Sequence, residues 1–170
     1  ENDDKPVKAI RSKPDSSMVV GFKALLKGDV DAFVSAGNTG ALLAGSLLKV
    51  GRIKGIDRPA ICTIYPTMNG ASVLVDAGAN AECKARNLVE FATMGSLYAE
   101  RVLAIDNPKV ALVNIGSEET KGTPLYIETH QLLKESGMNF VGNVEGRDVP
   151  SGKVDVIVAD GFTGNIILKL

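Results

Sequence analysis

The chain has no tryptophan, two cysteines and a single histidine among its 170 residues. Cys62 and Cys83 have neither a CxxC partner nor a neighbouring histidine, so no structural zinc site is expected and both thiols read as ordinary core or surface groups. His130 is the one available imidazole, and Ser35 lacks a surrounding GxSxG, which disfavours a Ser-His-Asp hydrolase within this segment. There is no GxGxxG, and Gly37-Asn38-Thr39-Gly40 lacks its spacing, so a nicotinamide enzyme is disfavoured. The nearest approach to a P-loop, Gly146 to Lys153, has the wrong glycine spacing and precedes a strand, which also disfavours nucleoside triphosphate hydrolysis. Neither sign of charge dominates. Nineteen Lys plus Arg stand against 20 Asp plus Glu, a net charge of -1, and no basic field exists to hold a nucleic-acid backbone. No apolar run approaches the roughly 18 residues that span a bilayer, and no charged-then-apolar leader opens the chain. Reduced cysteines and no such run together predict a cytoplasmic location. Fixed-period repeats and low-complexity segments are lacking as well, which argues against a solenoid or a disordered tail.

What is present is an ordinary globular composition, 45% hydrophobic and 23% charged, long enough for one core. The expectation is a single α/β domain over residues 1–170. Because the chain opens at Glu1 without Met and Leu170 falls inside a fresh helix, it reads as a central fragment of a longer protein. Residues 15–27 combine Ser at the N-cap position with helical apolar spacing and a Gly28 stop, predicting a helix. Then a strand-turn-helix grammar recurs. Apolar runs at Asp31–Ser35, Ser72–Val75, Val110–Val113, Phe140–Gly142 and Val154–Ala159 each lead into a polar, glycine-containing loop, and Ala60–Tyr65 is expected to pair with Val73–Val75 through the turn at Met68-Asn69-Gly70. On the long helix ending near Val102, Leu88, Phe91, Met94 and Leu97 are expected to mark the buried face. Continuous apolar strands alternating with helices predict a three-layer α/β/α architecture around a mostly parallel sheet.

In such sheets ligands bind beyond the carboxyl ends of the strands, where turn N–H groups and helix N-termini converge. Those ends are polar here. The exits hold Ser35, Gly37, Asn38, Thr39 and Gly40; Asp76 and Asn80; Asn114, Gly116 and Lys121; Asn143, Glu145 and Arg147; and Asp160, Gly161 and Asn165. Neutral donors with two cations can hold an anion such as phosphate, while amide side chains stabilise a developing oxyanion. A structural reading of each residue stays open: Asp76 and Asp160 as helix caps, Asn38 and Asn165 as caps or turns, and Arg147 as the surface partner of Asp148.

At these loops the sequence resembles a known family. The strings VSAGNTGALLA (34–44), VGRIKGIDRPA (50–60), DAGAN (76–80), FATMGSLYA (91–99), NIGSEETKG (114–122), NFVGNVEGRD (139–148) and DGFTGNIILK (160–169) are similar, in order and across nearly the whole chain, to the bacterial PlsX family of phosphate acyltransferases. The resemblance implies a homodimeric fold similar to phosphotransacetylases and isocitrate-type dehydrogenases. It also implies a reaction in which inorganic phosphate attacks the thioester of a long-chain acyl group on acyl carrier protein. Neither cofactor nor metal is implied. By the resemblance, Lys121 neutralises phosphate or the oxyanion, Asn165 donates to the carbonyl oxygen, and Asp160 fixes its neighbours; Asn38, Thr39, Asn80, Asn114, Asn143, Glu145 and Arg147 complete the pocket. It further implies peripheral membrane contact through segments outside this chain. The basic run Lys49, Arg52, Lys54 and Arg58 offers docking to the acidic carrier, or simply ends a helix and is solvated. Competing functions are an acyl-CoA-dependent phosphotransacetylase-like transferase and a non-catalytic scaffold of lipid synthesis.

Overall fold

The computed structural model describes residues 5–170, which divide into a first unit ending at Pro59 and a second spanning Ala60–Leu170. The first unit is helical: α1 (Pro6–Ser12), α2 (Ser17–Lys27) and α3 (Thr39–Gly45), the last running on into a π-helical turn at Ser46–Val50. Ile10, Val19 and Ala44 form its core with Met18 against them. Gly28 ends α2 in the left-handed region at φ 76°, as its position predicts. Ser16 occupies the N-cap position, but its hydroxyl donates back to the Lys13 carbonyl at 2.9 Å rather than capping α2. The strand expected at Asp31–Ser35 does not form. Those residues carry no ladder; the Phe33 ring packs on Phe22 with centroids 5.3 Å apart, and Val34 is 93% exposed. A strand exists only through a neighbouring edge, and among its described residues this unit forms none.

The second unit contains β1 (Cys62–Thr67), β2 (Gly70–Val75), α4 (Ala85–Val102), β3 (Val110–Asn114), α5 (Pro124–Glu135), β4 (Phe140–Glu145), a 3₁₀ turn at Gly146–Ser151, β5 (Val156–Val158) and α6 (Gly161–Leu168). The sheet order is β1-β2-β5-β3-β4. The hairpin β1–β2 is antiparallel, in register from Cys62 opposite Val75 to Thr67 opposite Gly70. The remaining ladders are parallel. The carboxyl ends of β2, β5, β3 and β4 therefore share one edge, with β5 inserted between two strands that precede it in the chain.

Alternation along the central strands sorts their side chains into two cores. Val73, Val75, Val110, Leu112, Val156 and Val158 pack with Leu88, Phe91, Ala92 and Ala99 of α4 and Leu133 of α5. Leu74, Ala111, Val113 and Ile157 face the opposite layer with Val149, Val154 and Ile167. The helix-facing residues on α4 differ from the expected set, because Leu97 is 51% exposed while Gly95 and Ala99 are buried. Three successive steps of three residues rotate by about 180° around a helix of 3.6 residues per turn, so Leu97 points away from Leu88. Spacing of four takes over, and it selects small residues. A Cβ on Gly95 would lie 2.7 Å from Val156 Cγ1 and 2.9 Å from Val75 Cγ1, so glycine is what lets α4 lie directly on the sheet. One further expectation fails: Asn143 and Glu145 belong to β4 itself, and the exit there begins at Gly146.

Candidate active site

The second unit gathers three of the sequence-predicted loops at the carboxyl edge. The first follows β2 and is organised by Asp76, whose side chain is fully buried. Its Oδ1 accepts the backbone N–H groups of Ile61 (3.0 Å), Gly78 (3.0 Å) and Ala79 (2.9 Å). Its Oδ2 accepts the Asn80 backbone N–H (2.7 Å) and Nδ2 (2.8 Å). Five donors use the lone pairs of this carboxylate, so Asp76 builds the loop rather than meeting a ligand.

The loop after β5 packs directly against it. Asp160 is the N-cap of α6, its Oδ1 accepting the Thr163 N–H at 2.8 Å. Its Oδ2 accepts the Thr163 hydroxyl at 3.0 Å and the Tyr126 hydroxyl. Burial, reinforced by the bond to the Asp160 carboxylate, pushes the Tyr126 phenol up to about 12. A Cβ on Gly164 would lie 1.9 Å from the Asp76 carbonyl oxygen; glycine alone permits this approach of α6 to the loop. At the next residue, Asn165 Nδ2 donates to the Ala77 carbonyl at 3.3 Å, and the Gly161 N–H donates to the Asn80 carbonyl at 2.7 Å.

The third loop follows β3 and carries Lys121. Asn114 Oδ1 accepts the Ile115 N–H at 2.8 Å and its Nδ2 donates to the Lys121 carbonyl at 3.0 Å, closing the loop on itself. The Lys121 side chain is about half exposed, with Nζ 4.0 Å from Glu118 Oε1. Gly116 packs under it: a Cβ there would lie 2.9 Å from Lys121 Cγ. Between this loop, the start of α5 and α6 lies a cleft of about 370 Å³ lined by Val113, Asn114, Ile115, Gly122, Thr123, Tyr126 and Thr163. Apolar walls and a few amide and hydroxyl groups are what a small-molecule site requires.

Other predicted residues stand apart from this cluster. On β4, Asn143 reaches the third loop by donating to the Glu118 carbonyl at 2.9 Å. Glu145 pairs with Arg147 at 2.9 Å, whereas Asp148 Oδ2 accepts the Glu145 N–H at 3.2 Å; the alternative left open for Arg147, a surface pair with Asp148, gives way to the pair with Glu145. Ser35, Gly37, Asn38, Thr39 and Gly40 belong to the first unit. There Asn38 Oδ1 caps α3 through the Ala41 N–H at 2.9 Å, and the Ser35 hydroxyl accepts the Gly37 N–H at 3.1 Å. The basic run also lies in the first unit, where Arg52 pairs with Asp57 at 3.6 Å.

Tyr126 and Thr163 line the cleft and were missed in the sequence. Thr163 was within reach, since the third residue after an Asp N-cap presents its N–H to that cap. Tyr126, in the first turn after Pro124, offers no such local signal; its role depends on α5 meeting the β5 exit.

Comparison with known proteins agrees with this architecture. A phosphotransacetylase from Streptococcus pyogenes superposes with a TM-score of 0.70 at 18% identity, covering 96% of this chain and 59% of that one. The EutD phosphotransacetylase from Staphylococcus aureus gives 0.68 at 19% identity, covering 88% and 53%. At these identities the likeness concerns the fold. By sequence, the chain is 67% identical over 169 residues to a phosphate acyltransferase of Alkaliphilus oremlandii, covering 99% of this chain and 50% of that protein. It is 56% identical over 170 residues to a phosphate acyltransferase of Clostridioides difficile, again covering 99% and 50%. The chain thus spans about half the length of the curated relatives it matches. With the model for "Fatty acid synthesis protein" matching residues 1–170, the chain belongs to that family, the PlsX-type phosphate acyltransferases that its loops resemble.

Proposed function

We propose that the protein to which this chain belongs transfers a long-chain acyl group from acyl carrier protein to inorganic phosphate. The observation that carries this reading is the convergence of the loops 76–80, 114–122 and 160–165 on one sheet edge, with a half-exposed Lys121 beside a cleft walled by Val113, Ile115 and Tyr126. The family to which the chain belongs, and relatives bearing the name phosphate acyltransferase, support it.

In this reading a phosphate oxygen attacks the thioester carbonyl carbon. The new C–O bond forms, the C–S bond breaks, and the carrier departs as its thiolate. The nucleophile is itself an anion, so the protein has to hold and aim it, which is a matter of proximity and of donors at the developing oxyanion. Lys121 supplies the cation, Asn165 the carbonyl donor, and Asp160 holds Thr163 and Tyr126 in place. Gly116 leaves room for the Lys121 side chain and Gly161 for the Asn80 backbone, and Asn80, Asn114 and Asn143 keep the loops closed. Glu145 and Arg147 form a pair at the neighbouring exit. Asp76 acts as the framework of its loop. Among the described residues no helix is long and apolar enough to cross a membrane; we place the enzyme in the cytoplasm, as a homodimer with peripheral membrane contact through residues outside this chain. The partner is the acidic carrier, met by Lys49, Arg52, Lys54 and Arg58.

The test is a phosphate-dependent assay of carrier thiol release by the full-length protein. Lys121→Ala is expected to lower turnover by about 100-fold or more, the scale of losing one charge-stabilising donor. Turnover unchanged by this substitution removes Lys121 from the chemistry. A protein that takes acyl-CoA and ignores the carrier would instead support the phosphotransacetylase-like reading.

A further inference from the structure

The single histidine sits where no loop-level reading would put it. His130 is on α5, 3% exposed, with its ring edge-on to Phe140 at 5.0 Å and 76°. Its Nδ1 lies 2.9 Å from Asn143 Oδ1. Nε2 faces Glu119 Oε1 at 3.8 Å, and that carboxylate accepts the Lys134 ammonium at 2.9 Å. The Lys134 hydrogen bond and charge hold the Glu119 carboxyl below its ordinary range.

The donor and acceptor inventory orients this chain of contacts. The Glu118 carbonyl can only accept, so the Asn143 atom 2.9 Å from it must be the amide nitrogen. Oδ1 then turns to His130 and needs a donor, which places a proton on Nδ1. The same Glu118 carbonyl accepts the Lys121 N–H at 3.1 Å. Lys121 is held on its other side by Asn114 Nδ2 on its carbonyl. The turn that presents Lys121 is therefore pinned from two strands: β3 through Asn114 and β4 through Asn143.

We propose that His130 is a positioning residue for the proposed phosphate chemistry, fixing the Asn143 amide so that Asn143 locks the Glu118–Lys121 turn and aims the Lys121 ammonium. The inference rests on the function proposed for this site, and it concerns His130 and Asn143, neither of which lines the cleft. A buried imidazole whose Nδ1–H is committed to an amide gives one amide orientation, and a misplacement of about 1 Å in a group that aims a reactant costs on the order of 100-fold in rate.

The experiment compares wild type, His130→Leu, His130→Asn and Asn143→Asp in the full-length protein. It reads phosphate-dependent turnover and hydrogen exchange of a peptide spanning residues 115–123, with a peptide from β3 as the fold control. His130→Leu keeps apolar volume and removes the donor. It is expected to speed exchange of the loop peptide about ten-fold, the scale of one lost tether, and to lower kcat/KM for phosphate about 10- to 100-fold with KM for the carrier unchanged. His130→Asn places an amide N–H near the Nδ1 position and is expected to restore both. Asn143→Asp keeps the acceptor for His130 but loses the donor to Glu118, and is expected to loosen the loop as His130→Leu does; it preserves shape and decides the matter should His130→Leu fail to fold. Loop exchange unchanged in His130→Leu or Asn143→Asp overturns the proposal, as does His130→Asn behaving no better than His130→Leu, which would reduce His130 to packing. A wild-type protein without phosphate-dependent turnover refutes the proposed function, while the exchange data still decide whether His130 positions the loop.

Discussion

Asp76 is the residue on which the candidate site depends most, and its replacement by asparagine yields a quantitative test. The substitution preserves shape and converts one carboxylate oxygen into an NH₂ group. Three backbone N–H groups converge on Oδ1, so the least costly arrangement keeps the amide oxygen there and turns the nitrogen toward the Asn80 backbone and side-chain donors. The Asn80 side chain can turn away. Its backbone N–H cannot, and an unsatisfied buried donor costs about 1–3 kcal/mol. The three retained bonds fall from charge-assisted to neutral strength, a loss of about 1 kcal/mol for at least one or two of them. The expected destabilisation is about 4 kcal/mol, read as the shift in urea midpoint at unchanged slope. Asp106→Asn, at an exposed position, serves as control and should stay within about 0.5 kcal/mol. A loss below about 1 kcal/mol for Asp76→Asn would refute the view that the carboxylate organises the loop. It would also return Asp76 to the list of groups available to a ligand.

The Tyr126 phenol should titrate late, at about 12, and a pH difference spectrum against Tyr126→Phe isolates it from the other tyrosines. A folded-state value raised above the ordinary 10 contributes stability that is fully present below about pH 10 and is lost as pH rises through about 12; a phenol titrating at 10 would show that the bond to Asp160 is not made in solution. Alanine at Lys49, Arg52, Lys54 and Arg58 together should raise KM for the carrier several-fold and flatten its salt dependence, with kcat unchanged. Unaltered salt dependence would mean these cations do not meet the carrier.

Much of the second unit was legible because its signals are local. Apolar runs bounded by polar turns mark the strands, Pro124 opens a helix, and Met68-Asn69-Gly70 turns a hairpin. The failures have a common physical origin. Asp31–Ser35 has strand composition but no edge to pair with among the described residues of its own unit, and Leu97 follows a three-residue spacing that a helix rotates out of register. Arg147 found Glu145 because β4 continues three residues past Gly142 and presents that carboxylate at the exit.

By itself the sequence determined the class of fold, the polar exits after β2, β3 and β5 and the family, since each of these is written in residue types at short range. Which residues of those exits are free to act was decided by tertiary structure. Asp76 and Asp160 look identical in sequence, each an aspartate leaving a buried strand. The first is closed by donors from its own loop and from Ile61, and the second by α6 and by Tyr126 from another helix. Lys121 keeps its charge about half exposed because the tethers of its turn act on the backbone: Asn114 holds the Lys121 carbonyl, and Asn143, on the adjacent parallel strand, holds the Glu118 carbonyl to which the Lys121 N–H donates. Lone pairs and N–H groups are satisfied across the fold rather than along the chain, and that satisfaction distinguishes a framework residue from a reactive one.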